Sequence, residues 1–301
     1  MASSAFVFPG QGAQYVGMGV ALCEKSPKAK VLFESASSVL GYDLLDVCKS
    51  GPVERINATD VSQPAIYVAS IAALEDFRDS NPDIISSCNI CAGLSLGEYT
   101  ALTFAGVISF ADGIRLVKER GEAMQAAAES VSSGMISVIG AEKEKVGELC
   151  QQASSAGLIQ MANFLCPGNI VVSGEMNACD ALEKIASEAG VRTVRLAVAG
   201  AFHTPIMAPA LQRLSVALAG TNVQKPQINV LSNVNASLHE TPESTKSHLA
   251  RQVVEPVLWE DCMRNILGSG VEKVYEIGPG RVLAGLAKRI NRKLEVVNIS
   301  A

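Results

Sequence analysis

The 301-residue chain carries 25 Lys and Arg against 30 Asp and Glu, a formal net charge of −5, so it has no overall basic footprint for nucleic acid or anionic lipid, and an acidic partner would need a local basic patch. With 48% hydrophobic and 18% charged residues, 25 Gly and 12 Pro, the composition excludes disordered, collagenous and disulfide-built chains and allows about two domain-sized units. Eight cysteines, at 23, 48, 88, 91, 150, 166, 179 and 262, are too dilute for a disulfide framework and predict a reducing compartment.

No apolar run approaches the ~18 to 20 residues that cross a bilayer, and the opening Met1-Ala2-Ser3-Ser4-Ala5 lacks a charged n-region, so neither a membrane span nor export by its own signal is expected. Ala5 to Phe8 reads as a buried strand emptying into the glycine-rich loop Pro9-Gly10-Gln11-Gly12. Helical spacing follows over 26–39 and from Gln63 to Arg78, where Ile66, Val68, Ile71, Leu74 and Phe77 recur; Pro64 suits the first turn of that helix and Asn81-Pro82 closes it. Ile84 to Ala92 reads as a second buried strand, ending at Gly93-Leu94-Ser95-Leu96-Gly97. Glu98 to Ala105 is then helix, with Gly106 at a C′ position, and a long helix runs from Phe110 to about Ser130.

From 134 to 198 the pattern changes. Strand (Met135 to Ile139), helix (Lys143 to Ser154), strand (Leu158 to Ala162), strand (Ile170 to Ser173), helix (Ala178 to Glu188) and strand (Thr193 to Val198) give the βαββαβ order of a ferredoxin-like unit. From Ala208 onward helices and strands alternate again, and Val274 to Ile277 empties into Gly278-Pro279-Gly280. The predicted architecture is α/β: a larger, α/β-hydrolase-like catalytic domain with a parallel sheet core, built from 1–130 and 199–301, with a ferredoxin-like subdomain inserted at 131–198. A cleft between the two is the expected functional location.

Gly93 to Gly97 matches Gly-x-Ser-x-Gly between a predicted strand and a predicted helix, the context that thrusts a serine hydroxyl out at a strand's carboxyl edge beside free helix N–H groups. An ordinary tight turn uses the same residues; the flanking elements favour Ser95 as a nucleophile. Such a serine needs a base, and the chain has three histidines. His239 and His248 lie in polar segments and read as solvated surface residues, whereas His203 stands in the apolar loop Gly200-Ala201-Phe202-His203-Thr204-Pro205. Phe8 to Gln14 lacks the Lys-Ser/Thr of a phosphate loop and is better read as a source of backbone donors. Cys88 and Cys91, three apart on a strand, point to opposite faces and read as core. Arg120, beside Lys118 and Glu119, reads from its neighbours alone as a solvated helix residue.

Taken together, the segments Phe8-Pro9-Gly10-Gln11-Gly12-Ala13-Gln14, Gly93 to Leu102, Glu119-Arg120-Gly121-Glu122-Ala123-Met124-Gln125, Gly200 to Pro205, Arg251 to Trp259 and Glu276 to Gly280 resemble the malonyl-CoA:acyl carrier protein transacylase family, in order and spacing over essentially the whole chain. The resemblance implies Ser95 as nucleophile, His203 as base, the backbone N–H groups of Gln11 and Leu96 as oxyanion hole, Arg120 as partner of the malonyl carboxylate, and the main-chain carbonyl of Gln252 as the group that orients the imidazole. It also implies that Phe202 and Met124 narrow the pocket around the malonyl α-carbon. The family commonly has His before the nucleophile, where this chain has Leu94.

The implied reaction is a ping-pong transfer of malonyl from malonyl-CoA to the phosphopantetheine thiol of acyl carrier protein through malonyl-Ser95, supplying extender units for fatty acid synthesis, with no metal and no cofactor. A serine esterase or thioesterase of the α/β-hydrolase kind is the alternative, since it shares Gly-x-Ser-x-Gly; a non-catalytic acyl or carrier binder is the third. Arg281, Lys288, Arg289 and Arg292 form the densest basic cluster and are the candidate docking site for the acidic carrier. A monomer in the plastid stroma or the bacterial cytoplasm, with no nucleic acid or membrane partner, completes the expectation.

Overall fold

The structure, a computed structural model, describes residues 3–301; Met1 and Ala2, part of the start read above, lie outside them. Nine strands are found among the described residues: β1 (Ser4–Phe8), β2 (Cys88–Gly93), β3 (Ser133–Ile139), β4 (Ile159–Cys166), β5 (Asn169–Glu175), β6 (Arg192–Arg195), β7 (Asn229–Val230), β8 (Lys273–Ile277) and β9 (Glu295–Ile299). They make two sheets. One has the order β7-β2-β1-β8-β9 and is parallel throughout; the other, β4-β5-β3-β6, is antiparallel. The α/β class with a parallel core is thus as expected, and the middle of the chain has the βαββαβ order and the strand arrangement of a ferredoxin-like unit, with its own apolar cluster of Val138, Val146, Leu149, Val172 and Leu182.

The central strand β1 is apolar at nearly every position because it is covered on both faces. Its period of two sends Phe6 and Phe8 into one core, against Phe77, Phe104 and Tyr275, and Ala5 and Val7 into another, with Trp259 and Met263. The carboxyl ends of β1, β2 and β7 lie side by side, so the segments that follow them, carrying Gln11, Ser95 and Asn233, leave the sheet at one edge, the usual ligand-binding edge of an open parallel sheet.

Several boundaries differ from the sequence reading: β4 runs to Cys166 rather than Ala162, β6 ends at Arg195 rather than Val198, and two differences lie nearer the site. The helix holding Gln63 to Arg78 starts at Thr59, so Pro64 lies inside it rather than in its first turn. The preceding turn is recruited by packing: Thr59, Val61 and Ser62 are buried, and Gly121 of the helix Phe110–Ser130 comes against the Thr59 carbonyl. Ile84 and Ile85 belong to a short helix, Pro82–Ser86, opened by its proline, and the strand begins only at Cys88. Among the described residues no helix is long and apolar enough to cross a membrane, and all eight cysteines are buried and unpaired.

Phe6 is fully buried with ring centroids of Phe104 and Tyr275 at 5.2 and 5.5 Å. Phe6→Ala is expected to lower stability by about 3 to 5 kcal/mol, read as a lower urea midpoint with an unchanged slope; a loss below about 1 kcal/mol would mean that the core collapses onto the vacancy.

Candidate active site

Between the end of β2 and the helix Gly97–Phe104 the chain turns so sharply that a Cβ on Gly93 would lie 1.8 Å from the Gly97 carbonyl carbon, and one on Gly97 would lie 2.1 Å from the Phe8 oxygen. Glycine is required at both positions by this approach. Ser95, at the apex, has φ 50, a left-handed conformation that costs a residue with a side chain of order 1 to 3 kcal/mol and needs external support. Asn233 supplies it: its Oδ1 accepts from Ser95 N at 2.7 Å and its Nδ2 donates to the Gly93 carbonyl at 2.9 Å.

His203, also left-handed at φ 62, faces the serine, with Nε2 3.0 Å from Ser95 Oγ. Its Nδ1 lies 2.6 Å from the main-chain oxygen of Gln252. A carbonyl only accepts, so the proton sits on Nδ1 and Nε2 is left to accept from the serine hydroxyl. Burial, with the Arg120 charge as a second cause, lowers the His203 pKa from 6.5 to about 4. The imidazole is therefore neutral, in the tautomer that can take a proton from Ser95.

The structure overturns the reading of Arg120 as a solvated residue. It is 1% exposed. Lys118 and Glu119 turn outward to pair with Glu122 and Arg213, while Leu116, Val117, Arg120, Met124 and Ala127 share the inward face of the helix Phe110–Ser130. Arg120 Nη1 donates to Gln63 Oε1 at 2.6 Å, and Nη2 donates to Ser95 Oγ and Gln252 Oε1, both at 2.9 Å. The guanidinium lies 5.5 Å from the Tyr99 ring centroid, and its Nε is buried without a partner. Among the described residues no acidic side chain forms an ion pair with it. Burial pulls its pKa down from the ordinary arginine value, yet the group starts so high that it stays charged.

A cavity of about 80 Å³ opens onto Ser95, Arg120 and His203; Gln11, Leu94, Met124 and Phe202 line it from one side, and Met135, Asn163, Leu196 and Val198 from the other. The antiparallel sheet and its exit thus supply one wall. Phe202 and Met124 are buried there, and Met124 Sδ accepts from Gln63 Nε2 at 3.6 Å. The amides of Gln11 and Leu96 are used in no hydrogen bond among the described residues, and Leu96 directly precedes the helix, where donors are free. In the basic cluster, Arg289 Nη2 donates to the carbonyls of Pro167 and Gly168 at 3.3 and 3.4 Å, and Lys288 Nζ donates to that of Leu294; Arg281 and Arg292 are exposed and make no ion pair among the described residues.

Sequence reasoning missed Gln63, Asn163, Asn233 and the pair Glu98–His239. His239 is not a surface residue: it is buried, and its Nε2 lies 2.8 Å from Glu98 Oε1. A carboxylate among the apolar positions of a helix's first turn was the available signal for Glu98, but its partner comes from 141 residues away.

The acyl transferase domain family matches residues 5–298 of the chain. Curated relatives include the mitochondrial malonyl-CoA-acyl carrier protein transacylase of Homo sapiens, 42% identical over 96% of this chain and 77% of that protein, and the malonyl CoA-acyl carrier protein transacylase of Bacillus subtilis, 37% identical over 100% and 94%. Among solved structures, the malonyl-CoA:acyl carrier protein transacylase of Xanthomonas oryzae superposes with a TM-score of 0.95 at 39% identity, over 99% of this chain and 95% of that one. A malonyl-transacylase in complex with a holo type II PKS acyl-carrier protein does so at 0.94 and 37%, over 99% and 96%.

The depressed His203 pKa fixes a pH signature. The base is lost only when Nε2 is protonated, so the rate at which a neutral fluorophosphonate labels Ser95 is expected to stay level from pH 8 to about 5 and to fall through pH 4. A fall centred at pH 6 to 7 would show an ordinary, solvated imidazole. The same shift affects stability: the unfolded chain takes up the proton at about 6.5 and the native one at about 4, so this contribution is complete above pH 6.5 and is lost as the pH drops towards 4.

Proposed function

We infer that this chain, which belongs to the acyl transferase family, transfers the malonyl group of malonyl-CoA to the phosphopantetheine thiol of an acyl carrier protein, supplying malonyl units for fatty acid synthesis. One observation carries the substrate: a buried guanidinium with no acidic partner, 2.9 Å from Ser95 Oγ. A charge in such a place is costly unless an anion meets it, and the planar fork of arginine suits a carboxylate. Malonyl differs from acetyl by that carboxylate.

The steps follow from the geometry. Ser95 gives its proton to His203 Nε2 while Oγ attacks the thioester carbonyl; the oxygen that gains charge is met by the N–H groups of Gln11 and Leu96. The C–S bond breaks, the leaving thiolate of coenzyme A takes the proton back from His203, and malonyl remains on Ser95 as an ester. The carrier's thiol then gives its proton to His203, its sulfur attacks the ester, and Ser95 recovers its proton as the acyl group leaves. Each step is a proton or acyl transfer between named groups, so the reading calls for no cofactor. The carbonyl of Gln252 holds the imidazole where a triad carboxylate would in a hydrolase, and among the described residues no acidic side chain bonds to that nitrogen, so the esterase alternative is not favoured. A carboxylate bound to Arg120 also offsets one of the two causes that keep His203 weakly basic, so the correct substrate strengthens its own base.

Met124 and Phe202, both buried, line the cavity beside Ser95, and an α-methyl branch would have to displace one of them, which disfavours it. We assign the catalytic domain to 1–130 and 199–301 and the inserted subdomain to 131–198, and we propose a monomer in the bacterial cytoplasm or plastid stroma. The mitochondrial name of the human relative adds a third compartment that keeps thiols reduced. Carrier docking is proposed for the basic end of the chain, chiefly Arg281 and Arg292, since Lys288 and Arg289 are engaged with carbonyls.

Intact-protein mass after mixing with malonyl-CoA tests the reading. Wild type should gain a malonyl group that holo carrier removes; Ser95→Ala should gain none. Arg120→Ala should lose malonyl transfer roughly ten- to a hundredfold and acetyl transfer far less; an equal loss of both would make the arginine structural. Arg281→Glu with Arg292→Glu should raise the apparent KM for carrier and leave that for malonyl-CoA unchanged, and a change in both would remove the docking assignment.

A further inference from the structure

We propose that Glu98 is a positioning residue for malonyl selection: its carboxylate fixes which way round the side-chain amide of Gln252 sits, and that amide aims Arg120 at the acyl group on Ser95. The inference rests on the reading of Arg120 as the malonyl receptor. Glu98 lies three residues after Ser95, in the first turn of the helix Gly97–Phe104, and is fully buried. It makes no hydrogen bond to Ser95 Oγ, His203 or Arg120. Its Oε1 accepts from His239 Nε2 at 2.8 Å, and its Oε2 accepts from Asn233 N at 2.9 Å and Gln252 Nε2 at 2.8 Å.

Gln252 Nε2 carries two protons, and the groups it meets at closest range, Glu98 Oε2 and the Ser95 carbonyl at 3.0 Å, only accept. Its Oε1 meets Arg120 Nη2, which only donates, at 2.9 Å. Turning the amide over would set oxygen against two oxygens and NH2 against the guanidinium. One orientation is therefore satisfied at all three contacts and the other at none, in a site where an unmade buried hydrogen bond is costly. A neutral amide at position 98, which can donate as well as accept, removes one of the three contacts that set this orientation and leaves only the Ser95 carbonyl and Arg120 to hold it. The main-chain carbonyl of Gln252 belongs to the end of the helix Pro242–Gln252 and does not turn with the side chain, so His203 keeps its partner. The loss then falls on Arg120 and spares the base. His239, itself buried and tied by its own N–H to the Val230 carbonyl at 2.9 Å, holds the other carboxylate oxygen and keeps Oε2 aimed at Gln252.

An acetyl group carries no carboxylate for Arg120 to bind, so the ratio of malonyl to acetyl acylation of Ser95 isolates malonyl recognition from the arginine's contact with Ser95 Oγ and is blind to a general loss of folded protein. The ratio of kcat/KM values is measured for wild type, Glu98→Gln, Gln252→Met, the double variant and Arg120→Ala, with folding followed by circular dichroism. Glu98→Gln and Gln252→Met are each expected to lower the ratio about tenfold, and the double variant should be no worse than Gln252→Met alone, because the carboxylate acts through the amide. An unmoved ratio in folded Glu98→Gln or in Gln252→Met overturns the proposal, as do additive losses in the double variant. Should Glu98→Gln fail to fold, Glu98→Asp, which draws the charge back by one methylene, is expected to lower the ratio in the same direction, and an unmoved ratio there overturns the proposal equally. A ratio that falls in Arg120→Ala alone removes the relay and leaves the malonyl reading standing; a ratio that does not fall even in Arg120→Ala brings down both.

Discussion

A guanidinium held out of water, with no acidic side chain among the described residues bonded to it, is the constraint on which the rest of the site depends. Taking an unpaired charge into a protein interior costs several kcal/mol unless fixed dipoles replace its hydration. Arg120 finds those dipoles in Gln63, Gln252, the Ser95 hydroxyl and the face of Tyr99, and each of them is neutral. The positive charge is thus solvated by the fold without being cancelled, and it stays available to an anion. A carboxylate in any of those places would have closed the site with an internal ion pair.

The second constraint is backbone strain at the two residues whose side chains meet. Ser95 and His203 both occupy the left-handed region, and each is held there by hydrogen bonds from distant parts of the chain, Asn233 for the serine and Val253 with Gln252 for the histidine. Strain of this kind persists only where surrounding structure over-determines it. Here it places Oγ and Nε2 within hydrogen-bond reach without the help of an acidic third residue, which leaves the imidazole neutral and weakly basic, adequate for a thioester whose leaving thiolate is itself a modest base.

The two sheets divide the work. The parallel sheet brings the serine turn, the Gln11 loop and Asn233 to one edge because β1, β2 and β7 are neighbours running in the same direction. The antiparallel sheet contributes no group to the proton path; Met135 and Asn163 from its strands, with Leu196 and Val198 from its exit, form the wall that limits what fits. The proton path is therefore built without the antiparallel sheet, whereas the walls that limit size come from both parts of the chain, Met124 and Phe202 together with these four residues.

Much of this was legible in the sequence. A continuous apolar run marked β1 and helical spacing marked the long helix Phe110–Ser130 nearly to the residue, and the six-element order of the middle segment was legible too, because burial of both strand faces leaves an unbroken apolar run and burial of one helix face imposes a period. Gly93, Ser95 and Gly97 announced their turn because only glycine permits that backbone approach. His203 was reachable by its apolar neighbours, and Arg120, Gln11, Leu96 and Gln252 by resemblance to a family. Local reading failed where the deciding contact is non-local. Arg120 looked solvated because its sequence neighbours are charged, and only the packing of its helix against Gln63 and Gln252 shows which face it shares. His239 looked exposed because its segment is polar, and its partner Glu98 lies 141 residues away. Local periodicity records which residues avoid water, but the pairing of buried polar groups depends on distances between segments that only the folded chain fixes.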